Sequence, residues 1–191
     1  MEITPELTFE SCVSPNTICD MQGHMGFLRS VAKGNVLEIG VRGGGSTSAL
    51  LLGLQEHGGH LFSVDVEPSC GAKFDGHPQW TFINLDSVSG ASLIIDKILH
   101  HQGYPDDNEG MVKPPVLDVL FIDGDHTFGA ALSDLTVYSP FVKKGGLVLM
   151  HDVCEGTLAG VREAMEVFLK NTGWEHEIHT QSHGLAVVKV P

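Results

Sequence analysis

The stretch VLEIGVRGGGSTSALLL, residues 36–52, decides how this chain folds. Its first four residues, apolar but for Glu38, suit a short buried strand, and the part after the glycines has the apolar spacing of a helix. Between them stand Gly40, Gly43, Gly44 and Gly45. Glycines let the backbone take positive φ and come close to a ligand, and Ser46 or Thr47 can cap the helix that follows. A strand that passes through a glycine turn into a helix is the opening unit of an alternating β/α chain. Taken alone, the loop also admits a plainer reading, a tight turn that holds no ligand.

The pattern extends in both directions. Upstream, MGFLRSVAKG reads as a short helix stopped by Gly34, after an N-terminal segment with a turn at Pro15. Downstream, strands are expected in HLFSVDVEP, WTFINLDS, VLDVLFI and GGLVLMHDV, and helices in SVSGASLIIDKILHH, TFGAALSDLTVYSPF and TLAGVREAMEVFLK. The apolar face of the first of these helices is read as Leu93, Ile94, Ile98 and Leu99. SCGAKFDGHPQ is too rich in Gly and Pro for a helix. The chain closes with WEHEIHT and GLAVVKV, joined by QSHG with no helix between, so they should pair as a hairpin. Together these segments predict an α/β fold: a Rossmann-like, doubly wound, mainly parallel sheet with helices on both faces and an antiparallel C-terminal hairpin. Residues 1–191 are expected to form a single domain, with residues 1–30 as an N-terminal cap and the polar loop 102–115 as a lid. Such sheets collect ligands at the carboxyl ends of their strands.

Composition narrows the function. With 42% hydrophobic and 18% charged residues, 191 residues suffice for a full core. The formal charge of −13, from 11 Lys and Arg against 24 Asp and Glu, repels phosphate backbones and anionic bilayers, so neither nucleic acid nor a membrane is an expected partner. Cys12, Cys19, Cys70 and Cys154 show no CxxC spacing, which suggests neither a zinc site nor a disulfide framework. No apolar run reaches transmembrane length, and MEITPELTFE is unlike a signal peptide, so a cytoplasmic location is expected. Most of the 11 histidines lie in polar segments, among them His57, His60, His100, His101, His176 and His179, and are expected at the surface. The oligomeric state is left open, a homo-oligomer included.

Carboxylates mark the strand ends. Asp65 closes FSVDVEP, where it could accept hydrogen bonds from both hydroxyls of a ribose, and Asp86 closes INLDS, where it could meet an adenine edge. Both could equally be turn residues. In PPVLDVLFIDGDHTF, residues 114–128, an apolar run broken only by Asp118 ends in Asp123, Asp125 and His126. The next strand ends in LVLMHDV, which brings His151 and Asp152 beside them if the two strands are neighbours. Carboxylates this close raise one another's pKa unless a cation intervenes, and a hard divalent ion such as Mg²⁺ would relieve the repulsion. The alternative is a set of hydrogen-bonded structural acids. For proton removal, His126 is a candidate base because imidazole titrates near working pH.

VLEIGVRGGGST, SVDVEP, FIDGDH and KKGGLVLMHDV, in that order, resemble the class I S-adenosylmethionine-dependent methyltransferases. The similarity is greatest to the group with an ExGxxxGxST first motif and a DGDH fourth strand, which includes metal-dependent O-methyltransferases of small molecules and sugars. It covers residues 30 to 190 and implies a seven-stranded sheet whose last strand is antiparallel. It also implies a cofactor pocket lined by Glu38, Gly40, Asp65 and Asp86, and the surrounding Arg42, Gly43, Gly44, Ser46, Thr47 and Asp123 are carried with it as cofactor-binding candidates. By the same resemblance Asp123 and Asp152 are metal ligands and Asp125 is the base. His151 departs from the pattern: imidazole suits Mn²⁺, Fe²⁺ or Zn²⁺ better than Mg²⁺, so Asp123, His151 and Asp152 form the candidate set for Mg²⁺ or Mn²⁺. The expected activity is methyl transfer to a hydroxyl of a small molecule. Two other readings stand beside it, a nicotinamide-dependent oxidoreductase and a cofactor-binding partner domain without turnover. The glycines are out of register for the dinucleotide fingerprint GxGxxG, which speaks against the first.

Overall fold

A computed structural model of the chain describes residues 3–104, 113–154, 156 and 159–191. Seven strands form one sheet in the order β3-β2-β1-β4-β5-β7-β6. They span β1 Gly34–Ile39, β2 Gly59–Asp65, β3 Trp80–Asn84, β4 Leu117–Ile122, β5 Val142–His151, β6 His176–His179 and β7 Leu185–Lys189. The first five pair in parallel, and β7 runs antiparallel to both β5 and β6. The doubly wound sheet and its C-terminal hairpin are as expected, and the order reverses direction between β1 and β4.

Alternation along each strand assigns the two faces. Leu37, Ile39, Leu120, Ile122, Val148 and Met150 enter one core with α4 (Ala91–His101), α5 (Phe128–Tyr138) and α6 (Ala159–Thr172). Val36, Val119, Phe121 and Leu149 enter the other, with α2 (Met25–Val31) and α3 (Gly45–His57). On α4 the buried face is Ile94, Ile95, Ile98 and Leu99; Leu93 points outward, one position off the face read from sequence. Asp118, the lone acid in β4, accepts hydrogen bonds from the Asn35 N–H at 2.8 Å and Lys143 Nζ at 2.8 Å near the amino end of the sheet.

Two observations bear on the segments expected as cap and lid. Residues Pro5–Val13 form a helix, α1, which the sequence reading left unassigned; Thr4 caps it by accepting from the Leu7 N–H, and Pro5 occupies the first turn. It packs on α3, so the N-terminal segment is part of the α3-side layer. The residues at the two ends of the loop expected at 102–115 sit at the amino edge of the sheet: Gln102 Nε2 donates to Asn35 Oδ1 at 2.9 Å, and Asn35 Nδ2 to the Val116 carbonyl at 2.9 Å. A helix-to-strand connection must return to the edge where strands begin, so these anchors lie opposite the ligand edge. Residues 105–112 of the proposed lid lie outside the described residues.

The α2–α3 contact depends on a residue without a side chain. A Cβ at Gly53 would stand 2.2 Å from the Arg29 carbonyl oxygen and 2.9 Å from Ala32 Cβ. Helix propensity alone favours alanine there by about 1 kcal/mol, but a backbone carbonyl cannot give way as a side chain can. Gly53→Ala is therefore expected to lower stability by about 1–3 kcal/mol in urea unfolding; a stabilised variant would show that the helix pair slides freely.

Candidate active site

The site begins with a backbone contact. Gly40, at φ 93°, ends β1 so close to β4 that a Cβ on it would lie 2.0 Å from the Asp123 carbonyl oxygen. The Asp123 N–H donates to the Ile39 carbonyl at 2.8 Å. Only glycine permits this approach, and it sets Asp123 beside the loop that follows β1.

That loop is held from beneath by Glu38. Its carboxylate is fully buried and accepts from Ser46 Oγ at 2.6 Å, Thr47 Oγ1 at 2.9 Å and Ser63 Oγ at 2.5 Å. Trp80 Nε1 extends the network by donating to Ser63 Oγ at 2.9 Å. Burial pushes the Glu38 pKa up to about 7 against the three hydroxyls, which favour the charged form. Strand alternation turns Glu38 toward α3, so it supports the loop from below and is not among the residues lining the cavity. Ser46 and Thr47 do not cap α3, whose N-cap is Gly44 at φ 80°; their hydroxyls are committed to Glu38.

Asp65 holds the loop from the other side. One oxygen accepts the N–H groups of Val41 at 2.8 Å and Arg42 at 3.1 Å, and the other accepts that of Glu67 at 2.8 Å. Burial would raise its pKa, but these three donors prevail and lower it. Asp86 receives the N–H and Oγ of Ser89 on its Oδ1, each at 2.7 Å, and its pKa is lowered by those bonds.

Above the strand ends lies a cavity of about 570 Å³. Among the sequence candidates, Gly40, Arg42, Asp65, Asp86, Asp123 and Asp125 line it, together with His126 and Asp152. A lobe of about 330 Å³ adjoins it and shares Asp20, Val41, Arg42 and Asp123. Gly43 and Ser46 border this lobe, with Cys12, Cys19 and Met21 of the N-terminal segment. Gly44, Thr47 and His151 line neither.

At the β4 and β5 ends two carboxylates stand between two imidazoles. On the cavity side, His126 Nε2 lies 3.1 Å from Asp152 Oδ2 and 3.7 Å from Asp123 Oδ1. On the protein side, His151 Nδ1 lies 3.3 Å from Asp123 Oδ1 and 3.3 Å from Asp152 Oδ1. Burial alone would lower the His151 pKa; the two carboxylates override it and push it up to about 10. Burial would likewise raise the Asp123 pKa, and the two histidines lower it instead. The His126 pKa is raised, first by Asp123, against burial, and then by Asp152. A charged His151 balances one of the two carboxylates, and a proton on His126 or a cation would balance the other.

Among the described residues, Asp123, His126 and Asp152 are the group whose ligand atoms all come within 4.8 Å of one another. The structure thus brings His126 to the front of this cluster and sets His151 behind it. Asp125 is exposed and accepts the Thr127 N–H at 2.7 Å at the start of α5. Sequence reasoning did not reach Asp20, which pairs with Arg42 at 3.1 Å, nor His24, fully buried with its ring 5.6 Å from that of His151. No periodicity marks either, because both come from an irregular segment placed only by tertiary packing.

A sequence model of a family described as a methyltransferase domain matches residues 37–153, over half of the chain. The chain belongs to that family. The fold of this methyltransferase-family protein recurs in solved structures. A putative caffeoyl-CoA O-methyltransferase from Staphylococcus aureus superposes with a TM-score of 0.65 at 17% identity, over 90% of this chain and 82% of the other. The MycE methyltransferase of the mycinamycin biosynthetic pathway, solved with Mg, SAH and mycinamycin VI, does so with a TM-score of 0.63 at 16% identity, over 98% of this chain and 54% of its own. At these identities the likeness is one of fold. An uncharacterized protein, R132, of Acanthamoeba polyphaga mimivirus is 41% identical over 39 residues, 20% of this chain and 18% of that protein. Among the described residues no helix is long and apolar enough to cross a membrane.

The buried Glu38 makes stability depend on pH. Unfolded, its carboxyl ionises near 4.5; folded, near 7. Between these values the folded chain keeps a proton that the unfolded chain has released, so rising pH removes stability across this window and no further above it. Urea unfolding should show the wild type losing up to about 3 kcal/mol relative to Glu38→Gln between pH 5 and pH 8. An unchanged gap would mean that the carboxyl ionises normally.

Proposed function

We propose that this protein is an S-adenosylmethionine-dependent O-methyltransferase acting on a hydroxyl group of a small molecule. The observation that carries the reading is the group Asp123, His126 and Asp152 on the wall of a cavity built over the glycine loop. A cavity of about 570 Å³ is within the range of small-molecule sites, roughly 300–1,000 Å³. Asp65 and Asp86 stand where the resemblance places ribose and adenine, and the loop edge at Gly40 and Gly43 is left for the methionine end.

Methyl transfer to a hydroxyl is an in-line displacement, so the acceptor oxygen must be held near the methyl carbon and relieved of its proton. His126 is the base in this reading. It is half-buried, faces the cavity and is oriented by Asp152 and Asp123, which also stabilise the imidazolium formed when it takes the proton. Asp125, the other candidate, is exposed and holds the start of α5. The oxygens of Asp123 and Asp152 would hold a divalent cation such as Mg²⁺ or Mn²⁺, with His126 left out of the coordination to serve as base. When bound there, such an ion would lower the pKa of a coordinated hydroxyl.

Transfer of labelled methyl from S-adenosylmethionine to a panel of catechols, sugars and other hydroxylated compounds tests the proposal. His126→Ala is expected to reduce turnover on the order of 10²–10⁴-fold, while S-adenosylhomocysteine still binds calorimetrically. Binding of the cofactor with no labelled product from any acceptor would instead support the partner domain without turnover. Asp123→Asn and Asp152→Asn should each lose turnover yet retain the cofactor; loss of cofactor affinity with turnover intact would overturn their assignment. Because His126 must be neutral to accept a proton and its pKa is raised, the rate should climb with pH and level off only above the ordinary histidine range. A rate already level at pH 6 would exclude it as the base.

A further inference from the structure

Backbone strain gathers around this site. Among the described residues, the non-glycine residues with positive φ are Arg42 at 45°, Asp152 at 63°, Ser182 at 46° and His183 at 65°. Such conformations cost on the order of 1–3 kcal/mol each and persist only where surrounding contacts demand them. Arg42 belongs to the glycine loop and Asp152 to the carboxylate pair. Ser182 and His183 form the turn between β6 and β7, a segment with no chemical signature in the sequence.

Ser182 joins that turn to the site in two ways. Its carbonyl oxygen accepts from His151 Nε2 at 2.8 Å, and its Oγ accepts the Gly23 N–H at 2.8 Å. A carbonyl can only accept, so the first bond places a hydrogen on Nε2 and turns Nδ1 toward Asp123 and Asp152. The ring is confined sideways by two edge-on neighbours, His24 at 5.6 Å and His183 at 6.4 Å. His24 itself is fully buried, with neither ring nitrogen in hydrogen-bonding geometry although the backbone of Gln181 and Ser182 lies close. Its role there is to fill space against His151.

We infer that Ser182 is a positioning residue: its left-handed backbone aims its carbonyl at His151 Nε2 and so fixes which nitrogen of His151 faces the two carboxylates. The consequence for catalysis rests on the proposed methyl transfer; the placement of His151 does not.

Long-range ¹H–¹⁵N spectra of protein labelled at histidine read the proton positions directly, with His151 assigned by the signal lost in His151→Gln. Wild type and Ser182→Gly, which keeps positive φ at no steric cost, should both show a slowly exchanging Nε2 proton on His151 with a cross-peak to the Hα of residue 182. Ser182→Val, whose branched side chain is expelled from positive φ, should lose both signals. Its turnover should fall on the order of 10–100-fold, as for lost outer partners of site ligands, and Ser182→Gly should recover it. S-adenosylhomocysteine titrated into each variant should bind as it does to wild type, because residue 182 lines neither cavity. A folded Ser182→Val with an unchanged His151 pattern would overturn the inference. Should that variant not fold, the wild-type spectrum decides: an unprotonated Nε2 on His151 overturns it. Failure of S-adenosylhomocysteine to bind wild type would count against the methyltransferase reading alone, since the His151 pattern is measured without it.

Discussion

The contact between Gly40 and the Asp123 carbonyl is the constraint on which the site depends. Two neighbouring parallel strands end there with no room for a side chain between them. Because they close up at that point, the chain after β1 must turn sharply away, which makes the glycine loop, and the chain after β4 must deliver Asp123 to the loop's edge. The cavity exists because the sheet order reverses between β1 and β4, sending the two following helices to opposite faces. Glu38 and Asp65 then fix the loop and the start of α3 from below and beside, each by two hydrogen bonds, with a third to β2 or the turn after it.

Charge balance is the second organising constraint. The carboxylates of Asp123 and Asp152 share one end of the site, and imidazoles face them from both sides. The two histidines are unlike. His151 is sealed in, committed at both nitrogens and held charged, so it works as a fixed counterion. His126 faces the cavity with its side chain partly exposed, so it is open to a ligand there. In the proposed reaction it would start neutral, take the proton on the cavity side and leave an imidazolium that the two carboxylates stabilise.

Much of this was legible in the chain. Gly40, Asp65, Asp86, Asp123, Asp125, His126 and Asp152 each follow a strand or a βα turn, and in a parallel sheet every such position reaches the same edge; periodicity therefore placed them together before any coordinates. The resemblance, not periodicity, put Glu38 at the cofactor; alternation within β1 turns its side chain to the α3 face, where it holds the hydroxyls of Ser46 and Thr47. His151 shows the same effect: one residue before Asp152, it takes the opposite face of β5 and so stands behind the cluster. Of the lid expected at 102–115, residues 105–112 lie outside the described residues, and Gln102 at its start is tied to Asn35.

By itself the sequence determined the alternating architecture, the antiparallel final hairpin and the set of carboxylates at the ligand edge, since strand and helix periods and glycine positions are local properties of the chain. Only the tertiary structure decided what each acid and imidazole faces. Asp20, His24 and Ser182 come from an N-terminal segment and a hairpin turn far apart in the chain, and they meet the site through packing that no local pattern encodes. Hydrogen-bond partners and burial, not residue type, separate His126 at the cavity wall from His151 sealed behind the carboxylates.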